Sequence, residues 1–154
     1  MTDPALDVEF VRVPEQRIAS LTRRAAAWGS SSIGPVVGPM FPEVLALLGG
    51  APTGPAVAVY REDADGVEIV AGFEVGDEVS IAPGLDVRVL PALDRAAVAL
   101  HVGPMDTIDR SWTALMDAVR AAGAEPAPGG REVYLTPGDR PQSEWRTRLI
   151  QPLA

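Results

Sequence analysis

Arg131-Glu132-Val133-Tyr134-Leu135-Thr136 predicts a short strand, because Val, Tyr, Leu and Thr suit a pleated, half-buried surface. Side chains alternate along a strand, so Val133 and Leu135 share one face and Glu132 and Tyr134 share the other. The first face suits a core. The second sets a carboxylate two residues from a phenol, either toward solvent or in a cleft beside aromatic rings.

Outward from this stretch, Gly129-Gly130 leads in and Pro137-Gly138-Asp139 turns the chain toward a last strand over residues 144–150. Upstream lies the clearest helix. Asp106 is its expected N-cap, Asp109 suits its first turn, and Gly123 closes it. Ile108, Trp112, Leu115, Met116 and Val119 fall at helical spacing. Residues 86–91 and 95–102 predict a hairpin around Pro91-Ala92-Leu93-Asp94, and residues 8–13 and 17–24 predict another around Pro14-Glu15-Gln16. Residues 29–35 have the composition of a loop. Pro39 and Pro42 then suit the first turn of a helix with Val44, Leu45, Leu47 and Leu48 as its apolar stripe, stopping at Gly49-Gly50. Strands over 56–61 and 67–75 flank the turn Asp63-Ala64-Asp65-Gly66.

The order is hairpin, helix, hairpin, and then the same again. Val11-Arg12-Val13-Pro14 resembles Val87-Arg88-Val89-Leu90-Pro91, and Val57-Ala58-Val59-Tyr60 parallels Arg131-Glu132-Val133-Tyr134. The expectation is an α+β domain over residues 1–154, made of two pseudo-symmetric halves, about 8–75 and 86–150. One antiparallel sheet carries both helices on one face and a central groove on the other. Tyr60 and Tyr134 face the groove from both sides. Glu132 comes from one half only, and Ala58 opposite leaves room for a ligand.

Composition narrows the function. Of 154 residues, 47% are hydrophobic and 22% charged, which suits a globular domain. A net charge of -8 disfavours direct nucleic-acid binding. With no cysteine and one histidine, disulfides, thiolate metal sites and His-rich metal sites are excluded, and no cofactor motif is visible. The N-terminus carries acidic residues and no signal-peptide run, and no stretch reads as the roughly 18 apolar residues of a membrane span. The expected setting is cytoplasmic, with a small molecule as partner, no nucleic acid and no membrane; oligomeric state is not readable.

The chain resembles the GyrI-like, or bacterial effector-binding, domain family. The pieces that carry the resemblance are His101-Val102-Gly103-Pro104, Trp112-x-x-Leu115, Glu132-Val133-Tyr134-Leu135-Thr136-Pro137 and Thr147-Arg148-Leu149-Ile150-Gln151-Pro152-Leu153. The resemblance implies a groove whose floor holds a glutamate, matching Glu132, among aromatic rings that meet lipophilic, often cationic, ligands. Two departures stand out: Met105 where the family usually has an aromatic, and the Ser-, Gly- and Pro-rich 25–41 segment. The first strand begins near residue 8, so the chain reads as a free-standing member without a helix-turn-helix.

The expected ligand-binding set is Glu132, Tyr134, Tyr60, Trp145, Phe73, Trp112 and Met105. Trp112 also suits the core, because it lies on the helix's apolar stripe; Phe73 and Trp28 suit either place. His101, before a Gly-Pro turn, reads as structural. Three functions are expected: capture of a lipophilic, aromatic, cationic molecule; as the resemblance implies from some free-standing members, hydrolysis of cyclopropane rings in DNA-alkylating natural products, with Glu132 and Tyr134 catalytic; and, weakest, as the resemblance implies from another branch, inhibition of a protein such as gyrase. In the first two, burial raises the Glu132 pKa above its ordinary value of about 4.3.

Overall fold

The computed structural model describes residues 6–51, 53–81 and 83–154. Along the chain run β1 (Glu9–Val13), β2 (Gln16–Ala25), α1 (Ser30–Leu48), β3 (Ala56–Asp63) and β4 (Gly66–Glu74). Then come β5 (Asp86–Leu90), β6 (Leu93–Val102), α2 (Ile108–Ala121), β7 (Gly130–Tyr134) and β8 (Arg146–Pro152). Short 3-10 turns cover Met105–Thr107 and Gln142–Glu144. The strands form one antiparallel sheet in the order β1-β6-β8-β7-β3-β4-β2-β5. Exchanging each strand for its counterpart in the other half gives the same order reversed. The centre falls between β3 and β7, where Ala58 pairs with Glu132, Ala56 with Tyr134 and Tyr60 with Gly130.

The β3–β4 and β7–β8 hairpins form as expected. The other two do not. β1 pairs with β6, and β5 pairs with β2, so the consecutive strands β1/β2 and β5/β6 lie toward opposite ends of the sheet. The reason lies in the links. Pro14-Glu15 and Pro91-Ala92 leave two residues between the strands, and a two-residue hairpin needs positive φ, which Gly or Asn supplies and Pro forbids. No described non-glycine residue has positive φ. Each link nevertheless spans at most about 11 Å. The sheet must therefore curl until its two ends come near each other.

The sheet stays open as a half-barrel, with β1 and β5 at its ends and Leu100 and Val102 exposed, and the curl draws the face without helices in on itself. Val13, Ile18, Leu90, Val98, Val133 and Ile150 pack there into one cluster drawn from both halves. The expected groove on that face is thus replaced by core. Both helices lie on the outer face, each over its own half. Ile33, Val37 and Met40 of α1 pack on Ala25, Ile69 and Ala71; Ile108, Leu115 and Val119 of α2 pack on Ala97, Ala99 and Leu149.

The first helix begins at Ser30, earlier than its prolines suggested. Its buried stripe is Ile33, Val37, Met40, Val44 and Leu48, in helical spacing. Of the expected stripe, Leu45 is exposed and Leu47 half-buried. Pro35, Pro39 and Pro42 lie inside the helix but on the side away from the stripe, exposed, where the carbonyls that lose an N–H partner meet water. At 19 residues, α1 is also long and apolar enough to cross a membrane by composition, which corrects the sequence-based expectation; here its stripe lies on the sheet. Asp106 is not an N-cap. It sits in the 3-10 turn, and Thr107, which precedes α2, donates its hydroxyl to the Pro104 carbonyl.

Candidate functional site

The two helices sit over different halves, so the middle of the outer face, above β3 and β7, is left uncovered. A cavity of about 1260 Å³ occupies that gap, walled by α1 and α2 and floored by the central strands. The seven residues expected from the sequence all line it: Glu132, Tyr134, Tyr60, Trp112, Phe73, Met105 and Trp145.

Strand alternation accounts for the floor. Glu132 and Tyr134 point outward from β7, while Arg131 and Val133 point into the curl. Glu132 is only 4% exposed. Its carboxylate is nonetheless satisfied at both oxygens. The Trp112 indole Nε1–H donates to Oε2 at 2.7 Å, and the Tyr134 hydroxyl donates to Oε1 at 2.6 Å. A phenol has a single proton to give, so the 3.0 Å contact between the Tyr60 and Tyr134 hydroxyls is a donation from Tyr60 to Tyr134. The chain of donors runs one way, Tyr60 to Tyr134 to Glu132, and leaves the Tyr60 oxygen as its outer acceptor.

Burial dominates the electrostatics. It raises the Glu132 pKa, as expected, while the donors Tyr134 and Trp112 oppose the rise. Burial, and then the neighbouring Glu132 charge, push both tyrosine hydroxyls well above their ordinary value. Both phenols therefore stay neutral and keep their protons for donation.

Aromatic rings surround this polar centre. Trp28 meets Tyr60 edge-on at 5.8 Å and Trp112 at 6.4 Å between ring centroids. Phe41 does the same to Tyr134 at 5.4 Å and to Phe73 at 6.0 Å. Gly130 makes one of these positions feasible: a Cβ there would come within 3.0 Å of the Trp112 ring. Trp112 is thus both core and site. Its ring is buried in the α2 cluster and its N–H serves the carboxylate.

The periphery is held by polar ties. Asp109, in the first turn of α2, accepts from the Ser30 amide at 3.1 Å and the Ser30 hydroxyl at 3.0 Å. The first turn of α1 has no acidic residue and no side-chain cap of its own, so α2 supplies one across the cavity. His101 is buried and structural, with one ring nitrogen against the Pro104 carbonyl at 2.9 Å and the other against the Ser111 hydroxyl at 2.7 Å. Met105 packs at the rim, where Thr147 donates its hydroxyl toward the sulfur at 3.8 Å. The Trp145 N–H is held by the Arg140 carbonyl at 2.8 Å.

Sequence reasoning missed Phe41 and Asp109 as parts of this site. Phe41 becomes legible once α1 starts at Ser30, because the stripe Ile33, Val37, Met40 and Val44 then puts it on the flank toward the cavity. Nothing local marks Asp109 as a partner of Ser30. Among the described residues, no group of three or more His, Asp or Glu side chains is placed to hold a metal.

The model of GyrI-like small molecule binding domains matches residues 6–154. No curated protein matches the chain in sequence. Among solved structures, the EcmrR C-terminal domain superposes with a TM-score of 0.71 at 19% identity, covering 97% of this chain and 98% of that one. A hydrolase from Listeria innocua gives 0.66 at 12% identity, over 99% of this chain and 94% of that one. SAV2435 bound to tetraphenylphosphonium gives 0.65 at 12% identity, over 96% and 94%. At these identities the likeness is one of fold.

Proposed function

The chain belongs to the GyrI-like small molecule binding domain family, and from that premise we propose that its cavity captures lipophilic, aromatic, cationic molecules, for sensing or sequestration. The observation that carries this is Glu132: a carboxylate at the floor of an aromatic cavity, 4% exposed, with no charged side chain bonded to it. A cation entering there meets ring faces and a counter-charge that little water screens. Anions meet the same carboxylate as repulsion. The fold likeness to a protein solved with tetraphenylphosphonium supports the same ligand chemistry. We further propose a duplicated module as the origin of the two halves, on the support of the reversible strand order, and a cytoplasmic setting, on the support of composition alone.

Titration with tetraphenylphosphonium, followed by tryptophan fluorescence, tests the proposal. A micromolar Kd, roughly -8 kcal/mol, is expected for the wild type, and at least tenfold weaker binding for Glu132→Gln. Equal affinity in both would remove the carboxylate from the account.

A second reading, hydrolysis of strained cyclopropane rings, is favoured by one feature. The Tyr134 hydroxyl lies 2.6 Å from Glu132, which pairs a proton donor with a base. Glu132 would take a proton from water as the water oxygen bonds one carbon of the breaking C–C bond; the electron pair of that bond would take the Tyr134 proton onto the other carbon, and the proton on Glu132 would then restore the phenol. Incubation with a cyclopropane-bearing alkylator, followed by mass, decides it. Many turnovers by the wild type and none by Glu132→Gln would establish the enzyme.

A further inference from the structure

The two helical walls of the cavity are unlike. The α2 wall presents Ile108 and Trp112. The middle of the α1 wall presents Gly34 and Gly38 beside the buried Ile33 and Val37, with Phe41 and Leu45 further along. These glycines stand one turn apart on one flank of the helix, a bare strip about 6 Å long.

Glycine in a helix interior needs a reason, because it is a poor helix former. The usual reasons are missing here. Neither residue has a left-handed φ, so alanine is compatible with the backbone at both. Neither is required by packing, because a Cβ built at either position meets nothing within 4 Å. The same helix already carries Pro35, Pro39 and Pro42 in its interior, so the glycines further weaken a helix short of its own hydrogen bonds. What they leave is space and exposed backbone on the cavity side. Close approach of a ligand to backbone is a recurrent use of glycine.

We propose that Gly34 and Gly38 are specificity-determining residues of the cavity: they admit ligands with a broad, multi-ring body, one ring of which lies against the bare α1 backbone while the cationic centre faces the floor. This rests on the proposed binding of lipophilic cations and adds a shape to it. A ligand as slender as a single alkyl chain gains nothing from the strip. A ligand with several rings fills the width between Trp112 and α1 and loses its seat when methyl groups project from the strip.

The test uses Gly34→Ala, Gly38→Ala and the double variant, with two lipophilic cations of different breadth. Tetraphenylphosphonium is broad; dodecyltrimethylammonium is slender. Thermal melting comes first. Alanine at helix-compatible positions is expected to raise Tm by about 2–4 °C per substitution, which shows that the variants are folded. Titrations are then expected to show at least tenfold weaker tetraphenylphosphonium binding in the double variant, with dodecyltrimethylammonium affinity within twofold of wild type. Unchanged binding of the broad cation, with a raised Tm, overturns the role of the glycines, and so does an equal loss for both cations. A wild type that binds neither cation overturns the binding proposal itself, a result distinct from either outcome of the variants. Gly38→Leu, a larger intrusion from the same strip, is expected to abolish binding of the broad cation; retention there overturns the inference as well.

Discussion

Trp112→Phe probes the centre of the site without emptying it. Phenylalanine keeps an aromatic ring at this position but removes the N–H that reaches Glu132 Oε2 at 2.7 Å. The effect on stability has two parts. The loss of ring contacts is the same at every pH and cancels when one variant is compared with itself across pH. The hydrogen bond does not cancel. A bond to an ionised carboxylate contributes about 1.5–3 kcal/mol and a neutral one about 0.5–1.5 kcal/mol, so the substitution costs roughly 1 kcal/mol more where Glu132 is charged than where it is protonated.

The sign follows from linkage. Burial raises the folded pKa of Glu132, so the folded chain holds this proton more tightly than the unfolded one. That contribution to stability is full below the unfolded carboxylate's pKa, about 4.3, and is lost as pH rises through the folded value. Removing the Trp112 donor takes away one of the groups holding the folded value down, so in Trp112→Phe the loss extends to higher pH. Urea unfolding of both proteins, followed by circular dichroism at about pH 4 and about pH 8, measures this. The gap in unfolding free energy between wild type and variant is expected to widen by about 1 kcal/mol at the higher pH. An identical gap at both pH values refutes the bond between Trp112 and an ionised Glu132.

Other perturbations grade the same network and its supports. Tyr134→Phe loses the donor to the carboxylate and is expected to cost about 1.5–3 kcal/mol, against about 0.5–1.5 kcal/mol for Tyr60→Phe, which loses only the outer donor; denaturant midpoints give the order. Asp109→Ala uncaps α1, with an expected cost of about 0.5–2 kcal/mol and faster hydrogen exchange at the amides of its first turn. Arg131 is buried inside the curl, with Nη2 on the Pro91 carbonyl at 3.1 Å and Nη1 without a hydrogen-bond partner, and burial lowers its pKa. Arg131→Met is therefore expected to stabilise the fold by about 1 kcal/mol or more, read as a rise in Tm.

What the sequence disclosed was local. The alternation Glu132, Val133, Tyr134 has a period of two, and the same pattern at Ala58, Val59, Tyr60 places the tyrosines on one face without any knowledge of the fold. The apolar spacing of α2 was equally plain, and Ile108, Trp112, Leu115 and Val119 are its buried residues. The first helix was harder to read because its three prolines are all in the interior, where they usually end a helix. The spacing Ile33, Val37, Met40, Val44 and Leu48 was present in the sequence, but proline is tolerated in such a helix only when it faces away from the packed side, and which side is packed is a tertiary fact. The cap on Ser30 by Asp109 is of the same kind, since it joins residues from different halves.

The two larger departures, the unpaired hairpins and the misplaced groove, have one cause. Had β1 paired with β2 and β5 with β6, each half would close on itself and the sheet would have no need to curl. Its helix-free face would then be open, and a groove would sit there. Instead the first strand of each half pairs with the second strand of the other, β1 on β6 and β5 on β2. The short proline links then force the ends of the sheet toward each other and fill the inner face with Val13, Leu90, Val98 and Ile150. The middle of the outer face, between two helices that each cover one half, is left uncovered. Glu132 lies there because β7 meets β3 at the centre of the sheet, with Ala58 as its cross-strand partner. The link residues Pro14 and Pro91, distant from the cavity in sequence, thus decide which face carries it.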